Sequence, residues 1–215
     1  MNLNAQGGVD DSEFKKIKEE ISKIFTRIGA LKFGIFTLTS GKKSPYYIDL
    51  RIVPSFPEAF QRVCHLYLSL IERNLGTKNF DRVSGTPTAG IPFASVIAYQ
   101  LSKPFLYVRP QTRSHGRSRR IEGVVLPGDR VLLMDDLITT GSSLKKVATA
   151  IRAEGGVVTD AVVLLDREEG GKERLARNGI TLHYLIKVSE VVNRLYDIGV
   201  ITEDQLKMIL KQVKR

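Results

Sequence analysis

Two adjacent carboxylates, Asp135 and Asp136, end an apolar run and are followed at once by small polar residues. The stretch reads VLLMDDLITTGSSL and covers residues 131–144. If residues 131–134 form a buried parallel strand, both carboxylates emerge at its carboxyl end, where ligands bind in open α/β sheets. The following residues would then turn the chain into a helix whose free backbone N–H groups face the same crevice.

The segment after the carboxylates suits a phosphate monoester, because its hydroxyl groups surround a glycine that lets the backbone approach an anion closely. Its residues are Leu137, Ile138, Thr139, Thr140, Gly141, Ser142 and Ser143. The two carboxylates would repel a phosphate unless they face hydroxyl groups or a cation, and vicinal ribose hydroxyls or a hydrated Mg²⁺ meet that need. The sequence therefore predicts a sugar phosphate as the ligand. A solvated strand end before an ordinary helix N-cap is the competing structural interpretation, and neither GxxxxGK[ST] nor GxGxxG occurs.

Hydrophobic periodicity predicts the elements that would position this site. From about residue 80, strand-like and helix-like segments alternate, which indicates strand–helix units and a parallel sheet. Upstream we expect an amphipathic helix stopped at Gly29, the strand YYIDLRIV, and a helix that Ser55 and Glu58 cap and that ends near Asn74. Residues 109–123 show no apolar periodicity, and two short helices end the chain, the second begun by a Thr202–Gln205 capping box.

Composition limits the function classes. The chain has 215 residues, 42% of them hydrophobic, and a formal net charge of +10. That charge indicates an anionic partner, which could be nucleic acid, a membrane surface or a polyphosphorylated small molecule. No apolar run is long enough to span a bilayer, the first residues lack the pattern of a signal sequence, and Cys64 is the single cysteine. These features predict a cytoplasmic protein of one domain, without membrane insertion.

The stretch VLLMDDLITTGSSL resembles the signature of the type I phosphoribosyltransferases. Within that family, FGIFTLTSGKKSPYYIDLR, the pattern RxxxRxHG followed by IEG, and LLDREEGG are similar to motifs of the orotate phosphoribosyltransferases. The resemblance runs from about Phe33 to Gly171. It implies an α/β fold with a central, mostly parallel sheet flanked by helices, a small hood from about residues 1–50 and 187–215, and a mobile catalytic loop over residues 109–123.

The same resemblance implies a reaction in pyrimidine synthesis. Orotate and 5-phosphoribosyl 1-pyrophosphate would give orotidine 5′-monophosphate and pyrophosphate, with Mg²⁺ held mainly by the phosphoribosyl pyrophosphate rather than by the protein. Asp135 and Asp136 would hold the ribose hydroxyls, and residues 139–143 the 5′-phosphate. The pyrophosphate would meet the backbone N–H groups of Thr88, Ala89 and Gly90. The orotate would contact Thr139, Arg167, Tyr46 and Tyr47.

The basic loop would contribute catalytic charge on the departing pyrophosphate. Resemblance assigns this role to Arg109, Arg113 and His115, and places the loop across a homodimer interface, in the partner's site. Pro110 and Arg113 stand where the family commonly has lysines, and Ala89 and Thr39 also replace lysines of some relatives. Arg113 supplies charge but does not readily release a proton.

Several structural interpretations compete with these roles. Arg167 could pair with Glu168 or Glu169 at the surface, the two tyrosines could be core residues, and Lys42 or Lys43 could lie near a phosphate or in a plain turn. His65 and His183 have no acidic or cysteine partner in their sequence patterns, so we expect them to be structural. Two other functions compete as well: a phosphoribosyltransferase for another base, and a non-catalytic sensor of phosphoribosyl pyrophosphate that binds nucleic acid. Against the sensor, the chain has no aromatic-interleaved basic surface and no helix-turn-helix pattern.

Overall fold

Short apolar runs form the strands of this α/β protein, and amphipathic segments form its helices. The computed structural model describes residues 21–37, 43–110 and 120–213. The strands are β1 (Leu31–Thr37), β2 (Lys43–Ile48), β3 (Arg82–Gly85), β4 (Phe105–Val108), β5 (Ile121–Glu122), β6 (Val131–Ile138), β7 (Asp160–Asp166) and β8 (Thr181–Lys187). The helices are α1 (residues 21–27), α2 (Pro57–Asn74), α3 (Gly90–Gln100), α4 (Ser142–Ala153), α5 (Gly171–Ala176), α6 (Val188–Asp197) and α7 (Glu203–Val213), with a 3-10 helix over Leu50–Ser55.

The main sheet has six strands in the order β5-β4-β3-β6-β7-β8. All neighbours pair in parallel except β5, which is antiparallel to β4. Strands β6 and β7 are buried almost throughout because apolar clusters cover both faces of the sheet. Parallel strands buried on both faces are typically continuous apolar runs, which is why the sequence predicted strands over RVLLM and VVTDAVVLL. The second prediction began too early, since β7 starts at Asp160. The predicted α/β fold with a mostly parallel sheet is confirmed.

The strand order reverses between β3 and β6, and β3 is the shorter of these two strands. The pairing of β3 with β6 ends at Gly85 and Met134. Strand β6 continues to Ile138 and pairs there with β7 alone. The carboxyl end of β6 therefore has no strand beside it on the β3 side, at the position where open α/β sheets bind ligands.

The segments that precede and follow the main sheet in sequence also pack against each other. Strands β1 and β2 form a separate antiparallel hairpin with an irregularity between Phe33 and Phe36. Helix α7 packs against α6 and against β2, and its Ile209 is fully buried. Ile21 and Phe25 of α1 are buried as the helical spacing predicts. Within the described residues, no helix combines the length and apolarity needed to cross a membrane.

Several predicted element boundaries are corrected. The Ser55–Glu58 capping box is wrong, because α2 begins at Pro57 with Phe56 as an N-cap that makes no side-chain hydrogen bond. Proline tolerates the first helical position since its missing N–H would be unpaired there anyway. The strand predicted over YYIDLRIV ends at Ile48, after which Asp49 caps the 3-10 helix.

The strand predicted to end at Met134 is longer, since β6 includes both aspartates and runs on to Ile138. The Thr202–Gln205 capping box is confirmed. The Thr202 N–H donates to Gln205 Oε1 at 2.9 Å, and the Gln205 N–H donates to Thr202 Oγ1 at 3.3 Å.

Candidate active site

The Asp135 and Asp136 side chains are held within β6 and are only 8% and 7% exposed. The Asp136 N–H donates to Asp135 Oδ1 at 3.0 Å, and the Leu137 N–H donates to Asp136 Oδ1 at 2.8 Å. Burial, followed by the charge of Asp136, raises the pKa of Asp135 well above its usual value, and burial also raises the pKa of Asp136. The pair therefore resists carrying two charges until hydroxyl groups or a cation offset the loss of solvent.

The predicted phosphate loop, residues 139–143, follows directly after β6 and includes the first turn of α4. Gly141 is the N-cap of α4, with φ +72°, and no side chain caps this end. The first N–H groups of the helix are thus free of an intrahelical or side-chain partner, as an anion site requires. Thr140 and Ser143 are exposed, whereas Thr139 and Ser142 are half-buried. The structure thus places this loop and the uncapped helix end directly after the two carboxylates, and phosphate binding there stays a prediction.

Two glycines let neighbouring segments approach the carboxylates and the loop. A Cβ atom on Gly90 would lie 2.5 Å from the Met134 carbonyl oxygen, so α3 begins against the backbone of β6. A Cβ atom on Gly171 would lie 2.6 Å from the Thr139 carbonyl oxygen, so α5 begins against the phosphate loop. Only glycine permits such distances without a shift of the backbone.

The GTPTAGIP loop connects β3 to α3 beside Asp135. The Thr86 N–H donates to the Met134 carbonyl at 2.8 Å and the Gly90 N–H donates to the Thr86 carbonyl at 3.0 Å. The sequence analysis predicted that the backbone N–H groups of Thr88, Ala89 and Gly90 bind the pyrophosphate. The structure engages the Gly90 N–H in the turn, while anion binding by the Thr88 and Ala89 N–H groups stays a prediction.

Arg167 follows β7 and lies inside the site rather than at the surface. Its backbone N–H donates to the Ile138 carbonyl at 3.0 Å, and its guanidinium carbon lies 5.0 Å from the centre of the Tyr46 ring. Its Nη2 atom is 2.9 Å from Glu169 Oε1. The predicted alternative of a pair with Glu169 is thus observed, but the arginine is only 8% exposed.

Among the described residues, four buried polar atoms around Arg167 have no hydrogen-bond partner: Arg167 Nε and Nη2, Tyr46 Oη and Glu169 Oε1. Although Arg167 and Glu169 form a close ion pair, their geometry is not that of a hydrogen bond. Burial is also the main cause that raises the pKa of Tyr46. A buried polar atom without a partner costs free energy, so the cluster is suited to a polar ligand that supplies the missing partners.

The turn after β7 fixes the position of Arg167. Asp166 accepts a hydrogen bond from the Glu168 N–H at 2.8 Å, and Glu168 adopts φ +58°. The Glu168 carboxylate accepts from the Ser189 N–H at 3.0 Å, in the first turn of α6. A carboxylate at a helix N-terminus is favourably placed for the helix dipole. The DREEGG motif therefore ties Arg167 to both α6 and the phosphate loop.

Arg51 is a site residue that the sequence analysis missed. It donates to the Tyr47 hydroxyl at 3.1 Å and is held by two hydrogen bonds to Asp49, of 2.6 and 2.8 Å. Burial raises the pKa of Asp136, and the positive charge of Arg51 is among the weaker effects that oppose this rise. Tyr47 is half-buried beside this cation, whereas Tyr46 is fully buried behind Arg167. The sequence signal for this pair was the stretch IDLR, in which Asp49 stands two residues before Arg51.

Comparison with known proteins decides the family. Residues 55–193 match the phosphoribosyl transferase domain model, and this range contains both aspartates, the phosphate loop and Arg167. The chain is 41% identical over 181 residues to the orotate phosphoribosyltransferase of Cenarchaeum symbiosum strain A, covering 84% of this chain and 90% of that relative. This chain belongs to the orotate phosphoribosyltransferase family.

Two solved structures share the fold. The orotate phosphoribosyltransferase from Aeropyrum pernix aligns with a TM-score of 0.72 and 34% identity, over 82% of this chain and 99% of that chain. The UMP synthase of Leishmania donovani aligns with a TM-score of 0.82 and 31% identity, over 94% of this chain and 43% of that chain. The type I phosphoribosyltransferase fold predicted from the sequence is thereby confirmed.

The basic loop predicted for an orotate phosphoribosyltransferase is only partly described. Arg109 forms an ion pair with Glu122, and its backbone N–H donates to the Arg120 carbonyl at 2.8 Å. Strands β4 and β5 therefore hold the two ends of the loop together. Arg113 and His115 lie outside the described residues, as do Thr39 and Lys42.

Two predictions about residues away from the site have clear outcomes. The prediction that His183 lacks an acidic partner is wrong, since its Nε2 atom lies 2.7 Å from Asp160 Oδ1. These two residues are distant in sequence, and the parallel pairing of β7 with β8 brings them together. Cys64 is buried as predicted, and burial raises the pKa of its thiol to about 12.

Proposed function

We propose that this chain transfers the 5-phosphoribosyl group of phosphoribosyl pyrophosphate to orotate in the crevice beside Asp135 and Asp136. The observation that supports this most is the joint position of the buried carboxylates and the uncapped α4 N-terminus where β3 ends. The helix end and residues 139–143 bind the 5′-phosphate, as helix N-termini bind anions. The two carboxylates accept hydrogen bonds from the ribose hydroxyls, which stabilise their charged forms.

Orotate binds on the Arg167 side of the crevice. The ligand is a planar anion with carbonyl and carboxylate acceptors, and a guanidinium presents donors in one plane that matches such acceptors. The Arg167 Nε and Nη2 atoms, which have no hydrogen-bond partner, supply these donors. Thr139 contacts the base from the phosphate loop. Tyr47 lines the rim, while Tyr46 acts through its contact with Arg167.

The reaction exchanges one bond at the ribose anomeric carbon. The bond to the pyrophosphate oxygen breaks with its electron pair on oxygen, and a bond to a ring nitrogen of orotate forms as that nitrogen loses its proton. Positive charge grows on the ribose and negative charge on the leaving group. Carboxylates beside the ribose and donors beside the pyrophosphate stabilise this separation. The pyrophosphate donors are the Thr88 and Ala89 N–H groups together with Arg109, Arg113 and His115.

A divalent cation fits this site only as a partner of the substrate. Within residues 21–37, 43–110 and 120–213, no group of three acidic, histidine or cysteine side chains could hold a metal ion. Two carboxylates suit a Mg²⁺ ion that keeps most of its water and arrives on the polyphosphate. When bound in this way, Mg²⁺ neutralises charge on the pyrophosphate.

The assembly and location of the protein are further parts of the proposal. We expect a homodimer in which the basic loop of each protomer reaches the partner's site, and a cytoplasmic location. The dimer rests on the resemblance of this loop to the family pattern. A buried free thiol is consistent with a reducing compartment.

The proposed base is tested by mixing purified protein with phosphoribosyl pyrophosphate, Mg²⁺ and one base at a time. Orotate should be consumed and orotidine 5′-monophosphate formed, while adenine, hypoxanthine and uracil remain. Turnover of another base in place of orotate would assign a different phosphoribosyltransferase activity. Binding of phosphoribosyl pyrophosphate without turnover of any base would favour a sensor.

A further inference from the structure

The Tyr67 hydroxyl contacts the backbone of the catalytic strand from the neighbouring helix. Tyr67 lies in α2 and is 1% exposed. Its hydroxyl donates to the Asp135 carbonyl oxygen at 2.7 Å, across 68 positions of sequence. The proposed mechanism uses the Asp135 carboxylate but gives no role to this carbonyl or to Tyr67.

The contact falls where β6 is least supported by its neighbours. Pairing with β3 ends at Met134, so Asp135 is the first residue of β6 without a β3 partner. Beyond that residue, strand pairing holds β6 only on the β7 side. A hydrogen bond from α2 is therefore an additional restraint at the first of the two carboxylates.

Tyr67 is itself held in one orientation. Its ring lies 5.6 Å from the Phe93 ring, in α3, and α3 begins at the glycine that touches the Asp135 backbone. Burial, followed by the charges of Asp136 and Asp135, raises the pKa of Tyr67. Helices α2 and α3 thus converge on the same residue of β6.

We propose that Tyr67 is a positioning residue that fixes the end of β6, and with it the Asp135 and Asp136 carboxylates, for the ribose hydroxyls. This inference rests on the proposed role of the aspartates. Catalytic groups act only when held close to the productive geometry by residues that are themselves locked in place. A buried aromatic ring with one fixed hydroxyl meets that requirement, whereas phenylalanine keeps the ring and loses the bond.

The test compares Tyr67→Phe with Ile71→Val. Ile71 lies one turn further along the same buried face of α2 and makes no hydrogen bond to either aspartate. Both substitutions remove a small group from a fully buried side chain. For Tyr67→Phe we expect kcat/KM for phosphoribosyl pyrophosphate to fall between about tenfold and about a hundredfold, with the KM for orotate nearly unchanged. Ile71→Val should leave both KM values close to those of the wild type.

Thermal melts of all three proteins separate positioning from stability. A selective change for phosphoribosyl pyrophosphate in Tyr67→Phe alone supports the inference. Unchanged kinetics in Tyr67→Phe would overturn it, and so would a uniform loss of activity that follows the fall in Tm in both variants. If the wild type turns over no base, the proposed function fails, and the affinity for phosphoribosyl pyrophosphate, measured by calorimetric titration, then decides the role of Tyr67.

Discussion

Asp135 and Asp136 are held in a buried strand where water cannot solvate their charges. Removing a carboxylate from water is costly unless it is paired, and the raised pKa values of both groups reflect that cost. Such a pair weakens the fold at neutral pH. Its position beside the uncapped N-terminus of α4 fits the proposed function, because a ligand with hydroxyl groups would offset part of the cost.

The pH dependence of stability should carry the signature of this pair. Because the folded pKa of Asp135 lies above the unfolded value, the native state keeps a proton that the unfolded state has released. Stability from this group is fully present below the unfolded pKa and is lost as the pH rises through the folded pKa. Asp135→Asn should therefore remove the part of the decline that Asp135 causes, while Asp136 keeps its own part, and raise the Tm relative to wild type near neutral pH. Melts from about pH 4 to about pH 8 test this, and parallel curves for the two proteins would contradict it.

Arg167 should determine affinity for orotate through the shape of its donor group. Arg167→Lys keeps the charge but removes the planar fork, so the KM for orotate should rise about tenfold to about a hundredfold. The KM for phosphoribosyl pyrophosphate should change little. Arg174→Lys, an exposed arginine on α5, is the matched control. Steady-state kinetics with an unchanged orotate KM in Arg167→Lys would contradict its role in base binding.

Residue types predicted one part of the site better than the other. The DD pair and the hydroxyl-rich loop are adjacent in sequence, so their chemistry could be inferred locally. Tyr67 contacts Asp135 across 68 positions of sequence, which depends on tertiary structure. Arg51 contacts Tyr47 only four positions away, and its local signal was overlooked. The sequence therefore predicted the ligand class and not the residues that hold the ligand-binding groups in place.

At the scale of elements, the unpaired end of β6 results from unequal strand lengths. Strand β3 ends at Gly85, which pairs with Met134, while β6 runs four residues further, to Ile138. Helices α3, α4 and α5 all begin near this extended end. Close contacts at Gly90 and Gly171 let α3 and α5 approach it without a gap.

The Gly171 contact can be tested by adding one carbon. In Gly171→Ala, the new Cβ would lie 2.6 Å from both the Thr139 carbonyl oxygen and an Ile138 side-chain carbon, so the phosphate loop must shift. We expect the KM for phosphoribosyl pyrophosphate to rise at least about tenfold. Gly179→Ala is the control, since its φ of +66° strains an alanine but no atom lies within 4 Å. It should lower the Tm and leave the KM unchanged.

A kinetic result that was the same in both glycine variants would contradict this account of the loop.

The element boundaries themselves were predicted less well than the elements. The pattern ended β6 at Met134 because the acids looked like a strand end, whereas pairing with β7 extends it. Strand β1 was not predicted, since an irregularity between Phe33 and Phe36 breaks its alternation.

At the scale of the whole molecule, the net charge of +10 matches a substrate with several phosphate charges. Arg109, at the start of the basic loop, is held by an ion pair with Glu122. The proposed dimer would bring the rest of this loop to the partner's site. Oligomeric state and catalysis would then be linked, because a monomer would lack part of the basic charge.

Mixing two inactive variants tests the shared site. Asp136→Asn disables the carboxylate side and Arg113→Ala disables the loop side, so each homodimer should be inactive. If the loop acts in the partner's site, random exchange of subunits should restore about a quarter of wild-type activity, because half of the dimers then contain one intact site. No recovery, with exchange confirmed by native mass spectrometry, would show that each loop serves its own site.

The central claim is that the carboxylates at the end of β6 bind the sugar of the reacting substrate. The most direct measurement is the loss of orotate absorbance with phosphoribosyl pyrophosphate and Mg²⁺, for the wild type and for Asp136→Asn, with a thermal melt of each. We predict turnover by the wild type and a fall of about a hundredfold in kcat/KM for phosphoribosyl pyrophosphate in the variant, without a lower Tm. Equal turnover, or a loss of activity matched by a loss of stability, would contradict the claim.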